Sequence, residues 1–345
     1  MWSHPDFDNH EKVHFFTDAA TGLRAIIAVH STFRGPSSGG VRFWHYAREE
    51  DALTDALRLS RGMSYKNAMA GLPVGGGKGV ILSDGQPKTR AQLLAFGDAI
   101  ETLAGAYVTA EDVGMSDGDM ETIAERTRHV SGLPVAGGQA GGSPGPLTAI
   151  GVHLGVRAAV ARGLGRDDLS GVHVAIQGLG AVGGGLARKL AADGARLTLA
   201  DVNVERAKAL AAELGAEAVS ADAIMTVEAD VFSPNALGAI LDARSIPLLR
   251  AGIVAGGANN QLATAADAQL LHARGILYAP DYVINAGGII NVATEYFQLG
   301  DGDAVMARIE QIPERLRAIW DQSATTGRPA ADVADEMARG LIGRG

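Results

Sequence analysis

Three ionisable side chains stand in surroundings that a solvated charge does not need. Lys66 lies in GMSYKNAMAG, Lys78 in GLPVGGGKGVI (residues 71–81) and Asp112 in TAEDVG. A lysine whose ammonium is partly stripped of water gives up its proton more readily and becomes a usable base. A carboxylate within reach could pass protons on. Taken singly, each has an ordinary reading: a lysine on a solvated face, or a capping loop at EDVG. A phosphate loop is excluded at Lys78. The Walker motif needs G-x-x-x-x-G-K-[ST], but Leu72 replaces its first glycine and Gly79 its hydroxyl residue.

A second constellation is better defined. Gly178, Gly180 and Gly183 spell G-x-G-x-x-G, with Ala181 and Val182 inside it, directly after the apolar run VHVAIQ. The first glycine permits a tight turn, the second lets backbone approach a pyrophosphate, and the third lets helix pack on strand. Asp201 closes the next apolar run, about 21 residues beyond Gly180, where its carboxylate can accept hydrogen bonds from an adenosine ribose. An acid there repels a 2′-phosphate, so NAD is expected over NADP, with Arg206 five residues on as the one opposing charge. Packing alone is the other reading of these glycines.

The elements that would hold these residues can be read along the chain. LRAIIAVH and VRFWHY read as strands, and EEDALTDALRLSRGM (49–63) as a helix with acids in its first turn. The Lys78 stretch then precedes a strand GVILSD, and a helix runs from about Thr89 to Ala104. PVAGGQAGGSPGP (134–146) is the sharpest composition break and is read as a hinge. Beyond it LTAIGVHLGVRAAVARGL is helical, and strands alternate with helices through ADVFSP, GIVAGGA and GILYAP. The expected fold class is α/β with two domains and a cleft between them. Residues 1–138 are expected to form a substrate-binding domain, with 303–345 folding back onto it, and 139–302 a Rossmann-type, doubly wound NAD-binding domain.

Composition narrows the function classes. A formal charge of −9 with no basic stripe argues against nucleic acid. The chain has no cysteine, which excludes disulfides, thiolate metal sites and cysteine nucleophiles. Nine histidines show no metal-ligand spacing, so no metal is expected. No apolar stretch approaches 18 residues, and the N-terminus lacks a leader pattern. A cytoplasmic enzyme without membrane association is the expectation. The 46 glycines fall in clusters, read as tight turns and close backbone approach to ligands.

GGVRFW, GMSYKNAMAGLPVGGGKGVI, YVTAEDVG, SPGPLTAIGV, GLGAVG, SPNALGA, AGGANNQL and APDYVINAGGIINVATE follow one another in order. Together they closely resemble the leucine, valine and phenylalanine dehydrogenase family, a branch of the glutamate dehydrogenase superfamily, from about residue 20 to 300. The resemblance implies NAD-dependent, reversible deamination of a hydrophobic L-amino acid to its 2-oxo acid and ammonia, by a homo-oligomer built through residues 1–138, the oligomerisation domain. It implies that Lys66 anchors the substrate carboxylate beside the backbone of Gly39 and Gly40. Lys78 is then the base, its ammonium disfavoured by burial beside Lys66, and Asp112 the proton shuttle. Thr148, Ala236 and Asn259 fall on the cofactor side and Asn260 on the substrate side. Ser38, Met63, Ala110, Ile289 and Val292 line the side-chain pocket. None of the five is cationic, so a glutamate side chain would have no partner. Ser38 departs from the family, where leucine is common, and could admit an aromatic substrate. Branched-chain substrates come first in this reading and phenylalanine second. A 2-hydroxy-acid dehydrogenase, which would use a histidine, and a catalytically silent NAD-binding protein are the rival readings.

Overall fold

The computed structural model describes residues 1–133 and 140–345, which fall into two units. Met1–Ser143, Ile289–Val305 and Ala338–Gly345 make the first; Pro144–Gly288 and Met306–Met337 make the second. The domain boundary expected at 138/139 lies outside the described residues.

In the first unit, strands β1 (Lys12–Asp18), β2 (Leu23–Ser31), β3 (Ser37–Ser38), β4 (Val41–Trp44), β5 (Gly75–Leu82) and β6 (Tyr107–Val108) form a six-stranded sheet. The order is β1-β2-β5-β3-β6, with β4 also beside β5. β3 and β4 pair parallel to β5 in one unbroken register, Ser38 with Gly76 and Val41 with Gly79, so they are two parts of one strand interrupted at Gly39 and Gly40. Three helices cover this sheet: α1 (Glu49–Met69), α2 (Arg90–Glu101) and α3 (Asp117–Ala124). Ile27, Ile81, Val41, Phe96, Ile100, Tyr107 and Ile123 pack into one core, while Ile26, Ala28 and Val80 meet Ala52 and Ala56 of α1 on the other face.

Two expectations change here. α1 does not end at Met63 but continues to Met69, so Lys66 is in its last turn. The strand expected at GVILSD begins at Gly75 and contains Lys78. Its glycines have ordinary strand backbone; what they lack is room. A Cβ on Gly75 would lie 1.9 Å from Ser31 O, one on Gly76 2.0 Å from Ser64 N, and one on Gly77 2.7 Å from Ser37 Oγ. α1 and neighbouring strands press onto the backbone at these positions, which leaves no space for a side chain.

The second unit begins with α4 (Gly145–Leu164), which ends on Gly165 in the left-handed conformation. Strands β7 (His173–Gln177), β8 (Arg196–Ala200), β9 (Glu217–Ala218), β10 (Val231–Pro234), β11 (Ile253–Val254) and β12 (Leu277–Tyr278) form a parallel sheet in the order β12-β11-β10-β7-β8-β9. Counted from β7, that is the doubly wound order of a dinucleotide-binding fold. α5 (Ala181–Ala192), α6 (Val204–Leu214), α7 (Ala266–Ala273) and α8 (Asp281–Ile284) complete it. α9 (Gly287–Tyr296) belongs to the first unit from Ile289 onward.

The C-terminal stretch divides. α10 (Gly302–Ile309), α11 (Ile312–Thr326) and α12 (Ala330–Leu341) follow, but Met306–Met337 packs with the second unit, so the expected fold-back of 303–345 is confined to its ends. Trp320 explains this, donating its indole N–H to Tyr278 O at 2.9 Å, as do Ile312 and Leu316, which lie over Gly151 and Gly155 of α4. Among the described residues α4 alone has the length and composition to cross a membrane, which modifies the sequence estimate of apolar runs. Here it is a core helix packed on α5 and α11.

Candidate active site

The register of the first sheet sets its chemistry. Gly40 stands across from Lys78 on one side and, through the pairs Ser38–Val108 and Val41–Glu111, across from Ala110 on the other. Residues side by side in a parallel ladder share a face. Lys78, Gly40 and Ala110 therefore share one, and Arg42 and Asp112 share it two positions further on. α1 covers that face, with Ser64 against Gly76 and Met63 against Gly39.

Lys78 is 5% exposed and donates to Asp112 Oδ2 at 2.7 Å. Arg42 Nε donates to the same oxygen at 3.2 Å, and Arg42 Nη1 donates to Asp55 Oδ2 at 2.8 Å. Tyr46 donates its hydroxyl to that Asp55 oxygen at 2.7 Å. Burial holds the Lys78 ammonium below the usual lysine range; Asp112 opposes this and Arg42 adds to it. For Asp112 burial alone would raise the carboxyl, but Lys78 and Arg42 outweigh it and hold it below the ordinary carboxylate range. One direct hydrogen bond joins the lysine to the carboxylate. Arg42 is a cation that the structure sets beside this pair, and it is absent from the sequence expectation although it lies inside GGVRFW. An arginine two residues beyond a glycine pair, on a half-buried strand, was the available signal.

The remaining residues of this half are placed as follows. Lys66 stands three positions after Met63 in the last turn of α1. The next residue, Asn67, is buried and donates to Gly75 O at 2.6 Å and Ser38 O at 3.3 Å, fastening helix to sheet at the glycine pair. Tyr107, also unforeseen, donates to Gly39 O at 2.7 Å from beneath. Ser38, Met63 and Ala110 adjoin Gly39 and Gly40. Ile289 and Val292 are buried on α9, where Val292 faces Gly132, and Glu295 and Asn291 accept from the backbone N–H groups of Gly132 and Gly141.

The second unit holds the glycine turn between β7 and α5. Gly178 has φ +85°, and a Cβ on it would sit 2.6 Å from Ala236 Cβ. A Cβ on Gly183 would meet Gly178 O at 1.9 Å, whereas around Gly180 nothing lies within 4 Å. Open space beside the middle glycine, at a helix N-terminus formed by Ala181 and Val182, fits a pyrophosphate. Asp201 accepts from Leu179 N at 2.7 Å and Asn203 N at 2.8 Å, so its carboxylate ties the turn to the end of β8. Arg206 Nη1 lies 3.6 Å from it. Thr148 donates to Pro144 O in the first turn of α4. Asn259 Oδ1 accepts from buried Asn285 at 2.7 Å, and Asn260 takes φ +52° beside it.

Residues 10–129 match the dimerisation domain of the Glu/Leu/Phe/Val dehydrogenases, and residues 199–336 match the Glutamate/Leucine/Phenylalanine/Valine dehydrogenase domain. Leucine dehydrogenase of Geobacillus stearothermophilus is 45% identical over 335 residues, 97% of this chain and 91% of the relative. Valine dehydrogenase of Streptomyces virginiae is 45% identical over 339 residues, 97% and 94% of the two chains. Among solved structures, L-tryptophan dehydrogenase from Nostoc punctiforme superposes with a TM-score of 0.85 at 40% identity, covering 97% of this chain and 96% of that one.

Proposed function

The chain belongs to the glutamate/leucine/phenylalanine/valine dehydrogenase family of amino-acid dehydrogenases, and from that premise we propose that it deaminates hydrophobic L-amino acids reversibly with NAD. The overall reaction takes the amino acid, NAD⁺ and water to the 2-oxo acid, ammonium, NADH and a proton. A nicotinamide dinucleotide, when bound, supplies the hydride acceptor, and Gly178, Gly180, Ala181, Val182, Gly183, Asp201, Thr148, Ala236 and Asn259 would hold it. In this reading Asp201 sets the preference for NAD.

The chain's own groups do the rest. Lys66, with the Gly39–Gly40 backbone alongside, anchors the substrate carboxylate, and Asn260 is a substrate-side contact. Lys78 takes a proton from the water that attacks the substrate iminium, and Asp112 passes protons between that water and the departing amino group. The observation that carries this reading is the buried 2.7 Å bond from Lys78 to Asp112. Ser38, Met63, Ala110, Ile289 and Val292 would receive an apolar side chain, branched-chain substrates first. The small Ser38 favours a second reading, an aromatic substrate of phenylalanine size. By family the protein would act as a homo-oligomer.

The test is a panel of 2-oxo acids with NADH or NADPH, with and without ammonium, on wild type and Ser38→Leu. Ammonium-dependent oxidation of NADH with 4-methyl-2-oxopentanoate ranked first supports the proposal. A phenylpyruvate preference that Ser38→Leu abolishes supports the aromatic reading. Oxidation that needs no ammonium contradicts both.

A further inference from the structure

We infer that Arg42 is a positioning residue: clamped by Asp55 and Tyr46, it fixes Asp112 as the carboxylate partner of Lys78 and keeps Lys78 available as a base. The inference rests on the proposed roles of Lys78 and Asp112.

Four side chains from three parts of the first unit form one continuous chain of polar contacts around Asp112. Arg42 leaves β4 and reaches two carboxylates at once, Nε to Asp112 at 3.2 Å and Nη1 to Asp55 at 2.8 Å. Asp55 comes from α1, and its accepting oxygen also receives the Tyr46 hydroxyl at 2.7 Å. A planar guanidinium held at two nitrogens has a fixed orientation, which a lysine on a flexible stem would lack. The Arg42 side chain is about three-quarters buried, so water screens it weakly. Its own charge is held more firmly than usual: burial works against it, but Asp112 and Asp55 more than compensate.

The arrangement settles what Arg42 does to its neighbours. Lys78 and Arg42 share Asp112 Oδ2, so the carboxylate stands between two cations. A lone lysine–aspartate pair would be stable with its proton on the lysine. The second cation weakens that lock, because it stabilises the carboxylate and disfavours the ammonium. The ionisable groups around the pair include Arg42, Tyr46, Asp55, Tyr107 and Glu111. Arg42 places a charge-bearing nitrogen on the Asp112 carboxylate beside the Lys78 ammonium.

The experiment uses full-length wild type, Arg42→Gln, Arg42→Lys and Lys78→Ala. Deamination is followed as kcat/KM against pH, and NADH binding by fluorescence reports that each variant is folded. The acidic limb of kcat/KM reports loss of a proton from the free enzyme's base. Removing a positive charge beside Lys78 favours its ammonium. Arg42→Gln is therefore expected to move the acidic limb to higher pH and to lower kcat by up to about 100-fold, with NADH binding retained. Arg42→Lys keeps the charge but loses the fork, so its limb stays near that of wild type while kcat falls. A limb that does not move in Arg42→Gln overturns the inference, as does a raised KM for the amino acid at unchanged kcat, which would make Arg42 a substrate contact. If Arg42→Gln fails to bind NADH, Arg42→Lys decides: unchanged kcat overturns the inference, and lowered kcat at unchanged KM supports it. Turnover in Lys78→Ala would instead bring down the parent assignment, and this inference with it.

Discussion

Lys78 Nζ and Asp112 Oδ2 lie 2.7 Å apart although a whole strand, the β3–β4 strand, runs between the segments that carry them. Gly40 makes this approach feasible. It is in register with Lys78 and has no side chain to stand between the two groups. A Cβ there would lie 2.9 Å from Asp112 Cβ and 2.8 Å from Glu111 O. Gly40→Ala is therefore expected to displace Asp112 and lower kcat by about 100-fold while NADH binding persists. Steady-state kinetics beside a fluorescence titration with NADH checks both halves of that expectation.

The glycines of β5 and α1 should respond in opposite ways. Gly76→Ala would drive a Cβ to 2.0 Å from Ser64 N, backbone that cannot swing aside. It is expected to cost about 1–3 kcal/mol or more, as overpacking does. Gly62, inside α1, has nothing within 4 Å of its absent Cβ. Gly62→Ala is expected to stabilise by up to about 1 kcal/mol through helix propensity. Denaturant midpoints of the two variants decide the matter.

In the second unit the fingerprint glycines separate by role. Gly183→Ala would collide with Gly178 O and should damage folding, whereas a Cβ on Gly180 meets no protein atom within 4 Å. The expected outcome for Gly180→Ala is a wild-type melting temperature with weakened NADH binding, because the methyl group occupies space a pyrophosphate needs. Thermal melts and NADH titrations of both variants read this directly.

Acid should weaken the fold through His30. It is fully buried, its Nδ1 is 2.8 Å from Ser64 Oγ, and Arg344 Nη1 lies 2.7 Å from its Nε2. Burial first, then the Arg344 charge, push it down from 6.5 to about 3. A base whose folded value is depressed binds its proton in the unfolded chain first. Stability is thus undiminished above pH 6.5 and is lost progressively as pH falls toward 3. The loss is on the order of a few kcal/mol, and His10, lowered mainly by burial, acts in the same direction. Urea midpoints measured across that window should slope less steeply in His30→Asn than in wild type.

Much of the architecture was legible in the residues. The dinucleotide turn could be read because strand, glycines, helix and acid lie within one short stretch. The roles of β5 and α1 could not. GGGKG looks like a loop by composition, and only the pressing contacts of Ser31, Ser37 and Ser64 make a strand of glycines sensible. Arg42 was hidden for a related reason. Its partners, Asp55 and Asp112, are 13 and 70 residues away, and sheet register brings them together rather than any local spacing. The division of the C-terminal helices turned on Trp320 and Tyr278, a contact across 42 residues.

The proposed role of Lys78 is that of the base in amino-acid deamination. It is tested most directly by ammonium-dependent oxidation of NADH with 4-methyl-2-oxopentanoate, comparing wild type with Lys78→Ala at matched NADH occupancy. Turnover is expected to fall by about 10²–10⁴-fold with NADH binding intact. Turnover within a few-fold of wild type would contradict it.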